Sequence, residues 1–154
     1  MPSIAVRVQA APFDLAGEAA ALSALPGVGA VVTFSGICRD EGGRLAALEL
    51  EHYPGMAEAE IGRIAAEATQ RWPLAGISVV HRFGRIAVGE EIVLVATASS
   101  HRDAAFAAAN FLMDYLKTRA PFWKRAIRSD GAVEGWIESK KEDDQSAARW
   151  SGAD

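Results

Sequence analysis

The sequence predicts one α+β domain in which three main helices are combined with an antiparallel or mixed sheet. The length of 154 residues suits a single domain. Short segments of alternating apolar and polar residues, typical of strands, are interspersed with longer segments of helical spacing. Several successive strands are joined by hairpin-like links rather than by helices. This order favours an α+β fold over a doubly wound parallel sheet.

The N-terminal segment predicts a strand followed by a helix. Ile4, Val6 and Val8 occupy alternate positions, as on one face of a strand. Asp14 is a good N-cap residue for the alanine-rich helix that follows it. Pro26 ends that helix, because proline cannot continue it.

A predicted hairpin and a second helix come next. Residues 29–37 are rich in β-branched residues, residues 39–44 form a turn with two glycines, and residues 45–53 alternate again. Apolar residues then recur at helical spacing over residues 56–72, and Pro73 ends this helix.

The central part of the chain predicts two strands and the longest helix. The strands cover residues 76–84 and 90–99. Ser100 and Asp103 resemble a capping box, and the helix that they start runs to about Thr118. Its predicted buried face consists of Phe106, Ala109, Met113 and Leu116.

The C-terminal part predicts two closing strands, at residues 121–129 and 132–139. Residues 141–154 are mostly polar and predict a short helix or a tail. We therefore treat residues 1–154 as one domain.

The bulk composition excludes several classes of protein. A net charge of −4 does not fit a general nucleic-acid binder, which carries a basic excess. No run approaches the ~20 apolar residues that span a membrane, and residues 1–10 lack the features of a signal peptide. The single cysteine fits a reducing cytoplasm. An anion site in this acidic chain must be built locally from clustered basic residues.

The three histidines do not form a metal-binding pattern. His52, His81 and His101 are far apart, and none lies within four residues of another histidine or of the cysteine. We expect neither a metal nor a cofactor. His81 and Arg82 fall within a predicted strand, where an exposed polar face is the simpler interpretation.

Cys38 allows two interpretations. A neighbouring cation such as Arg39 can activate a thiol as a nucleophile. A single cysteine after an apolar strand is more often a small packed residue.

His101 and Arg102 stand in the first turn of the predicted long helix. The helix dipole favours an anion there and disfavours basic side chains. Such a local conflict is typical of a functional site, although a solvent-exposed helix start produces the same pattern.

Lys117 and Lys124 flank a predicted helix break. Seven residues are about two helical turns, but Pro121 cannot continue the helix, so the chain must turn between the two lysines. One interpretation is a cationic pocket for an anionic substrate, in which a partly buried Lys117 would be reactive. The alternative is a lysine whose stem covers apolar surface while its ammonium stays in water.

Five stretches of the sequence resemble the large, catalytic subunit of molybdopterin synthase. The resemblance covers nearly all of residues 29–150 in one order, whereas residues 1–28 match only in general pattern. The run MDYLKTRAPFWK at residues 113–124 is long and unusual enough to be a specific signature. The stretches are GAVVTFSGICRD, LELEHYPGMAEAEI, RWPLAGISVVHRFGRIAVGEEIVLV, SSHRDAAFAAANFLMDYLKTRAPFWKR and DQSAARW.

The resemblance implies an α/β hammerhead-type fold and a homodimer that forms the core of a heterotetramer. Each end would bind a small ubiquitin-like sulfur-carrier subunit whose C-terminal Gly-Gly tail ends in a thiocarboxylate. Sulfur from that tail would pass to cyclic pyranopterin monophosphate. Two transfers would complete the dithiolene of molybdopterin, in molybdenum cofactor biosynthesis.

The resemblance also implies roles for individual residues. Lys117 and Lys124 match the active-site lysines of the family. Phe34 and Met113 suit the apolar lining of the channel for the carrier tail. The residues that match its positively charged substrate pocket are Arg39, His101, Arg102, Lys124 and Arg125.

Three positions depart from the family pattern. Ile37 and Cys38 stand where lysine and valine are common, so a charge at the pocket edge is absent. Lys140 replaces a common arginine and loses its bidentate geometry. Three other functions stay open: a non-catalytic subunit that binds a ubiquitin-like protein, a hydrolase that depends on Cys38, and a binding module for phosphorylated pterins.

Overall fold

A computed structural model describes residues 1–137 and Trp150. The predictions for residues 141–154 (apart from Trp150) and for Lys140 therefore lie outside the described residues. In chain order the elements are β1 (Ser3–Gln9), α1 (Leu15–Ser23), β2 (Ala30–Ile37), β3 (Leu45–His52), α2 (Met56–Arg71), β4 (Leu74–Arg82), β5 (Gly84–Ala87), β6 (Glu91–Ser99), α3 (Arg102–Arg119) and β7 (Phe122–Arg128).

The strands form two sheets. The first has the order β1-β4-β6-β2, with β1 parallel to β4 and the other neighbours antiparallel. The second has the order β5-β3-β7 and is antiparallel. Strand β5 lies in a segment that sequence patterns predicted as a link between two strands. The prediction of an α+β domain with three helices and antiparallel or mixed sheets is confirmed.

The helices cover both faces of the first sheet. Helix α1 packs on one face, where Leu22 contacts a cluster that includes Val80 and Leu94. Helices α2 and α3 pack on the other face and form the main core. Its largest fully buried members are Ile61, Ile77, Val79, Val95, Phe111 and Leu112. Among the described residues, no helix has both the length and the apolar character needed to cross a membrane.

Helix α3 departs from its prediction in two details. Its N-cap is His101 and no side chain caps it, so the predicted capping box at Ser100 and Asp103 is wrong. Phe106 is 59% exposed, so it does not belong to the buried face. That face is instead rich in alanines such as Ala105 and Ala108, whose small side chains let the helix lie close to the sheet.

The end of α3 confirms the predicted helix break. The helix stops at Arg119, and Ala120 is extended (φ −68°, ψ 129°). The residue before a proline is disfavoured in the helical conformation, so Pro121 forces this change of direction. Strand β7 begins at the next residue and runs back along β3.

The second closing strand was predicted at residues 132–139. Over the described part of this segment, residues 132–137, no continuous strand forms. Up to Ile137 the segment pairs with β7 only through isolated bridges, Val133 with Ile127 and Ile137 with Lys124. A glycine in the middle of the segment weakens any continuous ladder.

Candidate active site

A cleft opens where the C-terminal end of α3 and strand β7 face strands of both sheets. Its volume is about 160 Å³. Two ammonium groups, those of Lys117 and Lys124, belong to its lining. Most of the remaining lining is apolar or aromatic and includes Phe34, Ile37, Leu50, Met113, Phe122 and Trp123.

The turn at Pro121 brings the two lysines into this one cleft. Lys117 occupies the last turn of α3, where the helix dipole favours a cation. Beyond the turn, β7 pairs with β3, and Lys124 stands opposite Leu50. Lys124 is half-buried, whereas Lys117 is exposed, so one chain does not provide the burial of Lys117 that the sequence suggested.

The two residues predicted for an apolar channel, Phe34 on β2 and Met113 on α3, both line the cleft. Phe34 is 41% exposed although it is aromatic. Ile37, at a position where the resemblance implies a lysine, also lines the cleft and is 48% exposed. The cleft edge is therefore apolar at this position.

His81 is a member of the cleft that sequence patterns missed. The prediction of an exposed polar pair is wrong, because Arg82 is only 6% exposed and His81 is half-buried in the cleft lining. The alternation of side chains along a strand could have predicted that His81 is partly buried. Position 81 falls on the same face of β4 as Ile77 and Val79, which belong to the main core.

The ring of His81 is held by two contacts. Its Nδ1 lies 2.8 Å from the backbone oxygen of Arg82. The ring also stacks on Phe122 at 3.8 Å between centroids and 17° between planes. Burial, with a smaller contribution from the charge of Lys117, lowers the pKa of His81 from 6.5 to about 4.

This pKa predicts a loss of stability in acid. The unfolded chain binds a proton at His81 below pH 6.5, but the folded chain resists protonation until about pH 4. The contribution of neutral His81 to folding is therefore complete above pH 6.5 and is lost as the pH falls. Between pH 7 and 5 this amounts to about 2 kcal/mol of unfolding free energy.

Urea unfolding of the wild type and of His81→Phe at a series of pH values checks this prediction. The variant is expected to lose about 2 kcal/mol less than the wild type between pH 7 and 5. His101→Gln, at an exposed histidine, should follow the wild type. Parallel curves for all three proteins would contradict the prediction.

His101 and Arg102 lie at the other end of α3. They border a shallow depression with Gly29, Ala30, Ser100 and Asp103. Fifteen residues separate Arg102 from Lys117 along this helix, which corresponds to about 22 Å at 1.5 Å per residue. A single chain therefore does not bring this basic pair to the lysine cleft.

The two other predicted pocket residues are also outside the lining of the cleft. Arg39 is exposed and follows Ile37 by two residues, which places it near the cleft edge. Arg125 is on the opposite face of β7 from Lys124, because side chains alternate along a strand. Its Nε donates a hydrogen bond to Glu49 Oε1 at 2.7 Å, and its guanidinium lies 4.4 Å from the ring centroid of Trp136.

Cys38 has the environment of a packed residue. It is 1% exposed and contacts the small core of the second sheet. Burial raises the pKa of its thiol above the ordinary value of 9.0, and the charges of Glu90 and Glu41 act in the same direction. This environment disfavours the thiolate that a nucleophilic cysteine requires.

Slow alkylation of Cys38 is the expected consequence. At pH 8, iodoacetamide should modify the native protein at least about 10-fold more slowly than the urea-unfolded protein, because the thiol must first be exposed. Mass spectrometry of timed samples measures both rates. Rapid modification of the native protein at pH 7 would instead reveal an accessible thiolate.

Comparisons with known proteins agree with this architecture. The profile of the family described as "MoaE protein" matches residues 8–119. A molybdopterin synthase catalytic subunit from Mesorhizobium japonicum is 66% identical over 146 residues, which cover 94% of this chain and 92% of that relative.

Solved structures show the same similarity. The molybdopterin biosynthesis MoaE protein from Burkholderia ambifaria is 47% identical, with a TM-score of 0.81 over 97% of this chain and 98% of that one. A molybdopterin synthase structure from Staphylococcus aureus is 30% identical, with a TM-score of 0.77 over 84% of this chain and 94% of that one. The chain therefore belongs to the MoaE protein family, that of the molybdopterin synthase catalytic subunits.

Proposed function

We propose that this chain transfers sulfur from the C-terminal thiocarboxylate of a small ubiquitin-like carrier subunit to cyclic pyranopterin monophosphate. The product is the dithiolene of molybdopterin. The observation that carries the proposal is the pairing of two lysines, Lys117 and Lys124, with a narrow apolar cleft. The relatives' name, catalytic subunit, supports a second kind of subunit in the enzyme.

The cleft suits the tail of such a carrier. A Gly-Gly tail has no side chains, so it can enter a cleft of about 160 Å³ between apolar walls. Phe34 and Met113 then contact the tail backbone, and the anionic thiocarboxylate meets the ammonium groups at the end of the cleft. An anion placed between apolar walls gains more from each ammonium than it would in water.

The two lysines have different tasks in this proposal. Lys117 polarises the acyl group, or moves protons, while sulfur leaves the carrier and bonds to the pterin. Water supplies the oxygen that converts the carrier tail to a carboxylate. Lys124 holds the phosphate and stabilises the charge that develops as its ring bond opens. A second carrier delivers the second sulfur.

Two of the remaining basic residues, His101 and Arg102, are assigned to a second copy of the chain. His101 and Arg102 are about 22 Å from Lys117 along α3, so we assign them to the cleft of the partner in a homodimer. Arg39, near the cleft edge, is assigned to phosphate recognition. Arg125 lies on the face of β7 opposite Lys124 and is bonded to Glu49, so a contact of Arg125 with the phosphate would require it to leave Glu49 and that face.

Mixed dimers test this arrangement. Lys117→Ala and Arg102→Ala homodimers should each be impaired. If the site is shared, random mixed dimers restore one intact site in half of the molecules and about a quarter of the wild-type activity. No recovery after subunit exchange would place both residues in the same protomer's site.

A single-turnover assay tests the function itself. Purified protein is mixed with thiocarboxylated carrier and cyclic pyranopterin monophosphate, and the dithiolene pterin is quantified. The wild type and Cys38→Ala should give product at similar rates, because Cys38 is buried away from the cleft lining. Carrier binding without product would favour a non-catalytic subunit, and a loss of activity in Cys38→Ala would favour a cysteine-dependent hydrolase.

A further inference from the structure

His81 is fixed in one orientation by groups that are themselves held in place. The acceptor for its Nδ1 is the backbone oxygen of Arg82, at 2.8 Å. The side chain of Arg82 is buried and donates hydrogen bonds to the backbone oxygens of Ala10 and Glu91, both at 3.1 Å. Phe122 holds the ring from one side at 3.8 Å.

These contacts determine the tautomer of the ring. A backbone oxygen can only accept a hydrogen bond, so Nδ1 must carry the hydrogen. In the neutral ring, Nε2 then has no hydrogen and presents a lone pair. His81 belongs to the cleft lining together with Lys117, whose positive charge acts on the ring.

We propose that His81 is a positioning residue for Lys117, whose ammonium donates a hydrogen bond to the Nε2 lone pair of His81. The bond holds the amine at the reactive end of the cleft without adding a further positive charge. This role rests on the proposed sulfur-transfer function. It makes His81 a third polar side chain of the proposed site, beside Lys117 and Lys124.

The groups around His81 explain why its neutrality matters. Lys117 approaches from α3, His52 from β3 and Lys124 from β7 across the cleft. The neighbours of His81 in the first sheet are apolar, Val8 on β1 and Val93 on β6. A protonated ring would repel Lys117, and neither of the two residues paired with His81 in the sheet carries a negative charge to compensate. The depressed pKa keeps the ring neutral at the pH of the cytoplasm, where we expect the enzyme to act.

Three variants separate positioning from packing. His81→Phe keeps an aromatic ring against Phe122 but removes the lone pair. His81→Gln can place its amide oxygen near the former position of Nε2. His52→Phe is the matched control, because His52 also contacts Phe122, at 5.9 Å between centroids, but is not part of the cleft lining.

In the carrier complex, His81→Phe is expected to lower kcat by about 10- to 100-fold with little change in KM, as for a lost hydrogen bond to a charged group. His81→Gln should recover most of this loss, and His52→Phe should stay within about 3-fold of the wild type. If His81→Phe has wild-type activity, or if His81→Gln is as slow as His81→Phe while both fold and bind carrier, the proposal is overturned.

A spectroscopic measurement tests the tautomer without turnover. In protein labelled with ¹⁵N-histidine, the ring of His81 should show a protonated Nδ1 and an unprotonated Nε2 from pH 8 to 6. A protonated Nε2 would overturn the proposal. Absence of product from the wild type would overturn the sulfur-transfer function, whereas product from the wild type with no effect of His81→Phe overturns only the role of His81.

Discussion

Replacing Lys117 with alanine is expected to lower the single-turnover rate of dithiolene formation by about 10²- to 10⁴-fold, the range of a lost acid–base or charge-stabilising group. The effect is large because Lys117 is one of only two ammonium groups among the described residues that line the cleft. Its side chain is exposed, so its removal leaves no cavity and folding should be unaffected.

Arg119→Ala is the matched control for this variant. Arg119 is a cation in the same last turn of α3, but its guanidinium lies 4.4 Å from the ring centroid of Tyr115 and is not part of the cleft lining. Its loss should change the rate by less than about 3-fold. Carrier affinity and thermal unfolding are measured for both variants. Equal losses in the two would mean that α3 needs general positive charge rather than an amine at position 117.

Replacing Phe111 with alanine should have the largest effect on stability, about 3–5 kcal/mol. Phe111 is fully buried at the centre of the main core. Its ring contacts three aromatic side chains at 4.8 to 5.6 Å between centroids, those of Trp72, Tyr115 and Trp150. Alanine would leave a cavity among rigid rings that cannot close around it. Since domains are stable by only about 5–15 kcal/mol, this variant should be near its folding limit.

Phe106→Ala, five residues earlier on the same helix, provides the control. Phe106 is 59% exposed, so its removal should change the unfolding free energy by less than about 0.5 kcal/mol. Urea unfolding at one fixed protein concentration measures both variants, because any association would otherwise alter the midpoint. A larger loss in Phe106→Ala than in Phe111→Ala would mean that the sequence-predicted buried face is the real one.

The contrast between these two phenylalanines shows what sequence patterns can and cannot predict. The helical spacing over residues 100–118 correctly predicted a long helix. It correctly placed Ala109 and Leu116 on the buried face but chose the wrong phenylalanine, because Phe106 and Phe111 are equally apolar and alanines fit either face. Only packing against the first sheet, which brings Ala105 and Ala108 into contact with it, decides which phenylalanine is buried.

The same limit applies to the site. The break at Pro121 was predictable, because it depends on the chemistry of one residue and its immediate neighbours. The pairing of Arg125 with Glu49 was not, because it joins side chains 76 residues apart and depends on the register of β7 against β3. The prediction that His81 is exposed failed for a related reason. Helices cover both faces of its sheet, so strand β4 has no fully solvent-exposed face for a polar residue.

By itself, the sequence determined the α+β order of elements, the helix break between the two lysines, and a signature specific enough to indicate the family. These properties depend on residue type and on spacing over a few positions. The tertiary structure alone decided which side chains meet: it placed His81 in the same cleft lining as Lys117, turned Arg125 away from Lys124, and separated Arg102 from both by the length of α3. Contacts of this kind follow from how sheets and helices pack, since that packing brings together residues that are distant in the chain.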